Sequence, residues 1–200
     1  AGISDPLDAA AAYSILAEAE WMLGNYDVAI NHNHKIIELL SPARDQEHNL
    51  EELGFIYREL VAASMGSEQF NLAETHYREM KSVLEPLLEE ETDLEMISAA
   101  YLNLMMAAGE IFFFDQEAEY QGLEDVIYPA LMDEDDPVRI GRIYHDLIEG
   151  AMISYNIPLA ENYSQELVDR LSPLRDELRE AEDIQEVNNY FASAEINLGH

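Results

Sequence analysis

The sequence predicts an all-α fold: a solenoid of four helix pairs followed by a C-terminal capping helix. Three observations predict it, namely a proline marker, a tyrosine marker and one period shared by both. Three segments align without gaps, Ala29-INHNHKIIELLS-Pro42, Ala73-ETHYREMKSVLE-Pro86 and Ala160-ENYSQELVDRLS-Pro173. A degenerate fourth ends at Tyr128-Pro129, so the prolines step by 44, 43 and 44 residues. Tyr13, Tyr57, Tyr101, Tyr144 and Tyr190 step by 44, 44, 43 and 46, and Leu16, Leu60, Leu104 and Leu147 follow the first four at a spacing of three. Self-similarity at a fixed period marks a repeat array, in which each unit buries its apolar face against the next. Each unit reads as an A helix carrying Tyr-x-x-Leu and a B helix carrying the alanine and closed by the proline, which cannot continue a helix interior. The repeats cover about 6–45, 46–91, 92–135 and 136–182, with the cap at 183–198, all in one domain spanning 1–200.

The first A helix is expected over Pro6–Leu23, with Asp5 as N-cap and Pro6 at the first helical position. A tight turn at Gly24–Asn25 leads into a B helix over Tyr26–Leu40. His32 and His34 are two apart, so they point to different faces and make a poor metal pair. Repeat two has an A helix over Gln46–Met65, a longer turn, and a B helix over Phe70–Leu84 that runs on through Leu87–Leu88, since no glycine stops it. Thr92 is expected to cap the next A helix, Asp93–Ala108, whose MISAAYLNLMMAA suits a helix covered on more than one side. Phe112–Phe114 reads either as core at the following turn or as an exposed aromatic edge. The B helix of repeat three, Glu117–Met132, carries Gly122 and is the least regular. Asp133-Glu-Asp-Asp136 lacks the alternating ligands and glycine of a calcium loop, and Asp136 before Pro137 reads as an N-cap. Helices over Pro137–Ser154 and Pro158–Leu171 complete repeat four, and a charged stretch leads to the capping helix, Asp183–Leu198.

The unit resembles a tetratricopeptide repeat of a long variety, about 44 residues against the family's 34. Tyr13, Leu16, Ala17, Gly24, Tyr26, Ala29 and Pro42 match the family pattern well in repeat one. Repeat two offers Tyr57, Leu60, Phe70, Ala73 and Pro86 with Val61 at the small position; Met105 and Ile148 replace the small residue in repeats three and four. Trp21-x-Leu23-Gly24 is a false match to the family's Trp-x-x-Leu-Gly, because its spacing is wrong. The resemblance implies a right-handed α-α superhelix whose A helices line a concave groove that grips a peptide or a partner's helix. By offset from each tyrosine, the implied groove residues are Ser14, Glu18 and Trp21; Phe55, Arg58 and Ala62; Leu102 and Met106; and Arg142, His145, Glu149 and Met152. Arginine, aromatic and methionine side chains are enriched in interface cores. If Arg58 and Arg142 are unpaired, the groove is weakly cationic and suits a peptide with a carboxylate beside apolar side chains. The other reading pairs them with local acids such as Glu59, Glu18 or Glu149.

Forty-two acidic residues against ten basic give a net charge of −32 and a pI near 4.1. That excludes nucleic-acid binding by charge, which needs a basic footprint, and disfavours anionic membrane surfaces. It leaves a basic partner or an adaptation of surface solvation. The absence of cysteine excludes disulfides and thiol chemistry. No apolar run approaches a membrane span, and AGISDPLDAAAAY lacks the basic region and apolar core of a signal peptide. The first residue is not Met, as in a piece of a longer chain. No phosphate loop, metal-binding histidine pair or nucleophile motif appears. The expectation is a non-enzymatic protein-interaction scaffold without cofactor or metal, cytoplasmic, and monomeric or weakly homo-oligomeric. The alternatives are a ligand- or peptide-sensing regulatory domain of a larger protein and a self-assembling structural component.

Overall fold

The computed structural model describes residues 5–44, 49–111, 116–132, 134–175, 178 and 181–197. Nine helices hold 89% of the described residues, with no strand among them. They are α1 (Pro6–Met22), α2 (Tyr26–Arg44), α3 (Leu50–Gly66), α4 (Phe70–Glu90), α5 (Leu94–Ile111), α6 (Gln116–Leu131), α7 (Pro137–Ile153), α8 (Ile157–Arg175) and α9 (Ala181–Asn197). The all-α expectation and the helix order therefore hold. Phe112–Phe114, and the start of the A helix expected from Gln46, lie outside the described residues.

Three of the A–B turns are copies of one another. Asn25 donates its backbone N–H to the Glu20 carbonyl, Gln69 to Ser64 and Asn156 to Ala151, each at 2.8 Å. One residue earlier, Gly24, Glu68 and Tyr155 donate to Trp21, Met65 and Met152, each at 3.0 Å. This double closure is the Schellman motif, which satisfies the last carbonyls of the A helix. It requires a left-handed residue, and the φ values are 79° at Gly24, 59° at Glu68 and 57° at Tyr155. The longer turn expected in repeat two is corrected: Ser67–Gln69 matches Leu23–Asn25 residue for residue. Glu68 and Tyr155 hide the turn from the sequence because they hold a conformation usually left to glycine.

The four prolines do not close their helices. Pro42, Pro86, Pro129 and Pro173 all lie inside α2, α4, α6 and α8. Each is exposed, and each helix runs on for two to four residues. A proline this near a helix end forfeits one hydrogen bond on the solvent side. Continuing the helix past Pro42 packs Ala43 against the core. Asp5 caps α1, accepting from Leu7 N–H at 2.8 Å, and Asp136 caps α7, accepting from Val138 N–H at 2.9 Å. The expected Thr92 cap shifts by one residue: Asp93 accepts from Glu95 N–H at 3.0 Å. Nor is Gly122 a defect in α6, since a Cβ there would stand 2.7 Å from the Tyr101 ring.

The chain falls into two compact units: unit 1 comprises Ala1–Glu91 with Met106–Asp115, and unit 2 comprises Thr92–Met105 with Gln116–His200. In unit 1, α2 packs on α1 and α3, α3 on α4, and α1 touches α3. Ala10, Ile36, Leu40, Ile56, Leu60 and Ala63 form its core. In unit 2, α7 packs on α6 and α8, and α9 packs on α8 and α7. Of the tyrosine and leucine markers, Tyr57, Tyr144, Leu60, Leu104 and Leu147 are buried core positions, while Tyr13, Tyr101 and Tyr190 are half-buried. Leu16 differs, being 46% exposed beside a recess of about 440 Å³ formed with Ala9, Ala12, Tyr13 and Leu39.

His76, 5% exposed on α4, lacks a hydrogen-bond partner at either ring nitrogen. Burial lowers its pKa, and Arg44 adds to this against the opposing pull of Glu79. The folded state thus binds this proton less readily than the unfolded chain. The stability is complete above the ordinary imidazole value of 6.5 and is lost as pH falls below it.

Two measurements follow from the turns and from His76. A Cβ at Gly24 would meet nothing within 4 Å, so Gly24→Ala tests the backbone alone. Urea unfolding should show Gly24→Ala destabilising by about 1 kcal/mol, and Glu68→Gly or Tyr155→Gly stabilising by a few tenths to about 1 kcal/mol. Between about pH 7.5 and about pH 5.5, His76→Leu should lose less Tm than the parent protein. Equal losses would remove His76 as the titrating group.

Candidate partner-binding face

In unit 1, the structure gathers four of the expected groove residues around one cavity of about 350 Å³. Ser14, Glu18 and Trp21 come from α1 and Ala62 from α3. The spacing explains this: Ser14, Glu18 and Trp21 lie three to four apart on one helical stripe, and Ala62 is one repeat after Glu18. The walls are completed by Ala17, Ala29, Ile36, Ala63 and Met65. Asn33, Glu59 and Glu110 add polar groups that the sequence reasoning missed.

Gly66 lets Asn33 into this wall. A Cβ at Gly66 would sit 2.3 Å from the Asn33 amide nitrogen, so any larger residue would push that side chain away. Trp21 stands at the rim, 53% exposed, with its ring edge-on to Tyr26 at 4.8 Å between centroids. Glu59 is the buried charge of the site, at 8% exposure. Burial raises the Glu110 carboxyl, and the Glu59 charge raises it further against the opposing pull of Arg58.

Neither groove arginine stands free. Arg58 pairs with Glu59 at 2.9 Å, donates to Met106 Sδ at 3.4 Å, and lies over the Phe55 ring at 4.9 Å. Phe55, Arg58 and Met106 are thus brought together, though as a cross-link between α3 and the unit 1 part of α5. In unit 2, Arg142 bridges Glu95 on α5 at 2.5 Å and Glu186 on α9 at 2.9 Å. The Arg142 hydrogen bond, then that of Tyr190, holds the Glu186 carboxyl below its usual range. Of the acids expected to pair with these arginines, Glu59 does so. Arg142 takes Glu95 and Glu186, 47 residues before and 44 after it, so counting one repeat along the sequence would have found them.

His145 pairs with Asp146, Nδ1 to Oδ1 3.7 Å, and packs on Tyr190 at 5.8 Å between centroids. Its ligating atom and those of Asp146 and Glu149 lie within 4.8 Å of one another. The hydrogen bond to Asp146 raises the imidazole pKa, which favours the protonated ring that cannot ligate a metal. Asp146 also accepts from Ser98 Oγ at 2.5 Å. Leu102 is half-buried and Met152 is 41% exposed.

Elements and sites together define a class, an all-α protein of consecutively packed helix pairs with a repeated turn. No helix among the described residues is long and apolar enough to cross a membrane. Comparison with known protein families, with characterised proteins and with solved structures finds no match.

The Arg142 bridge carries its own prediction. All three side chains are 34–40% exposed, so solvent screens the pairs. Arg142→Met should destabilise by about 1 kcal/mol or less. A double-mutant cycle with Glu186→Gln should return a coupling energy that shrinks in high salt, as a screened ion pair does. A salt-independent coupling would mean that Arg142 acts by packing instead.

Proposed function

We propose that this protein is a non-enzymatic interaction scaffold of tetratricopeptide type. Successive pairs stack in the right-handed sense, and the A-helix faces hold a partner peptide or helix. The observation that carries the proposal is the unit 1 cavity, where residues from α1 and α3 expected to face a partner share one concave surface. An exposed tryptophan beside an apolar recess has the composition of an interface anchor. The exposed Met22, Leu23 and Tyr26 extend the apolar surface at the α1–α2 turn. Because Arg58 and Arg142 are each offset by carboxylates, the face does not favour an acidic peptide.

Capture from the native extract should compare the parent protein with Trp21→Ala/Glu18→Lys, two exposed positions whose loss leaves the core intact. Met152→Lys in unit 2 is the companion variant. A partner retained by the parent and weakened at least about tenfold by the first variant, with helicity unchanged, supports the reading. A partner held equally by all three proteins rules out the A-helix face.

A further inference from the structure

We infer that the unit 1 cavity is a lysine pocket, in which the alkylammonium side chain of a basic peptide lies along Ile36 and Met65 and ends among Glu18, Glu59 and Glu110. The inference rests on the scaffold reading above and names the chemistry of its occupant.

Volume and lining argue for it jointly. About 350 Å³ is within the range of small-ligand clefts. The alanine, isoleucine and methionine walls suit a four-carbon stem, and a lysine side chain is such a stem with a compact charge at its tip. Three carboxylates line the same cavity, and among the described residues it is Glu59 that forms an ion pair, with Arg58. The Asn33 side-chain amide lines the same cavity and offers the occupant both a donor and an acceptor. The exposed face of Trp21 offers a cation a further favourable contact at the rim.

Other occupants fit worse. An apolar side chain would strip water from three carboxylates and an amide without replacing their hydrogen bonds. A carboxylate would add a like charge to a site where Glu59 already raises Glu110, whereas a cation relieves that repulsion. Eight of the chain's ten lysines and arginines are already engaged. Lys35, Arg44, Arg58, Arg78, Lys81, Arg139 and Arg142 each meet a carboxylate, and Arg170 donates to the Glu134 carbonyl at 2.7 Å. A net charge of −32 steers basic segments toward this surface, and the cavity gives one side chain a place to dock.

Trp21 is the chain's single tryptophan, so its emission reports on this site alone. The probe is the capped pentapeptide Ac-Ala-Lys-Ala-Lys-Ala-amide, titrated at moderate salt. The result expected is a saturable change in emission, lost with the Nε-acetylated peptide and about tenfold weaker in Glu18→Gln/Glu110→Gln. Glu161→Gln/Asp169→Asn, which removes two exposed charges from α8, should bind as the parent does. Glu59→Gln is avoided because it strips Arg58 of its partner. Absence of saturation at millimolar peptide overturns the inference. So does equal weakening in the α8 variant, which would mean general acidity alone. Saturation by cadaverine but not by the peptide would reassign the pocket to free diamines and also overturn it. The scaffold reading fails separately, when capture is indifferent to Trp21→Ala/Glu18→Lys.

Discussion

The left-handed residue that ends α1, α3 and α7 at their turns is the constraint on which the pairing depends. It reverses the chain in three residues and satisfies the A-helix carbonyls by the same two hydrogen bonds at Gly24, Glu68 and Tyr155. The residue after it serves both helices. Asn25, Gln69 and Asn156 each donate back to the A helix and each accept, through the carbonyl, from Ala29, Ala73 and Ala160 in the B helix. Those three alanines are buried at 0–1% exposure, where a small side chain lets two helices approach. A turn of this length leaves little freedom in the angle between A and B, so the same apolar stripe reaches the same place in each pair. That the chain holds Glu68 and Tyr155 in a conformation unfavourable to them shows that packing of the pair outweighs the local backbone cost.

Charge is the second organising quantity. With 42 acidic and ten basic residues, the chain resists compaction by self-repulsion. The arginines at the A-helix faces counter it locally, since Arg58 and Arg142 tie helices that are neighbours in space and distant in sequence. Arg142 joins residues 47 and 44 positions away, and Arg58 reaches Met106 across 48. Ser98 and Asp146, also 48 apart, meet in the same way. Cross-links at about one repeat length are what adjacent A helices produce when their equivalent faces touch.

Much of this was legible in the chain itself, because periodicity survives substitution. Among the markers, Tyr57, Tyr144, Leu60, Leu104 and Leu147 are buried core positions, and Asp5 and Asp136 cap their helices as composition alone suggests. Three features were not legible, each for a physical reason. Proline was read as a stop, yet near a helix end on the solvent side it forfeits only one hydrogen bond. The turn of repeat two was obscured because Glu68 occupies a glycine conformation. Glu59 and Glu110 were missed at the cavity because, in a chain so rich in acid, no single carboxylate stands out. Only geometry shows that Glu59 is buried and that Asn33 reaches the wall opposite Gly66.

The two units use their A-helix faces differently, and this bears on where binding resides. In unit 2, Arg142, Glu95, Glu186 and Tyr190 satisfy one another, and Ser98 closes on Asp146. A partner there would have to break bonds already made. In unit 1, Arg58 pairs with Glu59 and acts on Glu110 through its charge, and Glu18 and the Asn33 amide line the same cavity. Unmet hydrogen-bonding and charge capacity beside an apolar recess gives an incoming group more to gain than a closed network does.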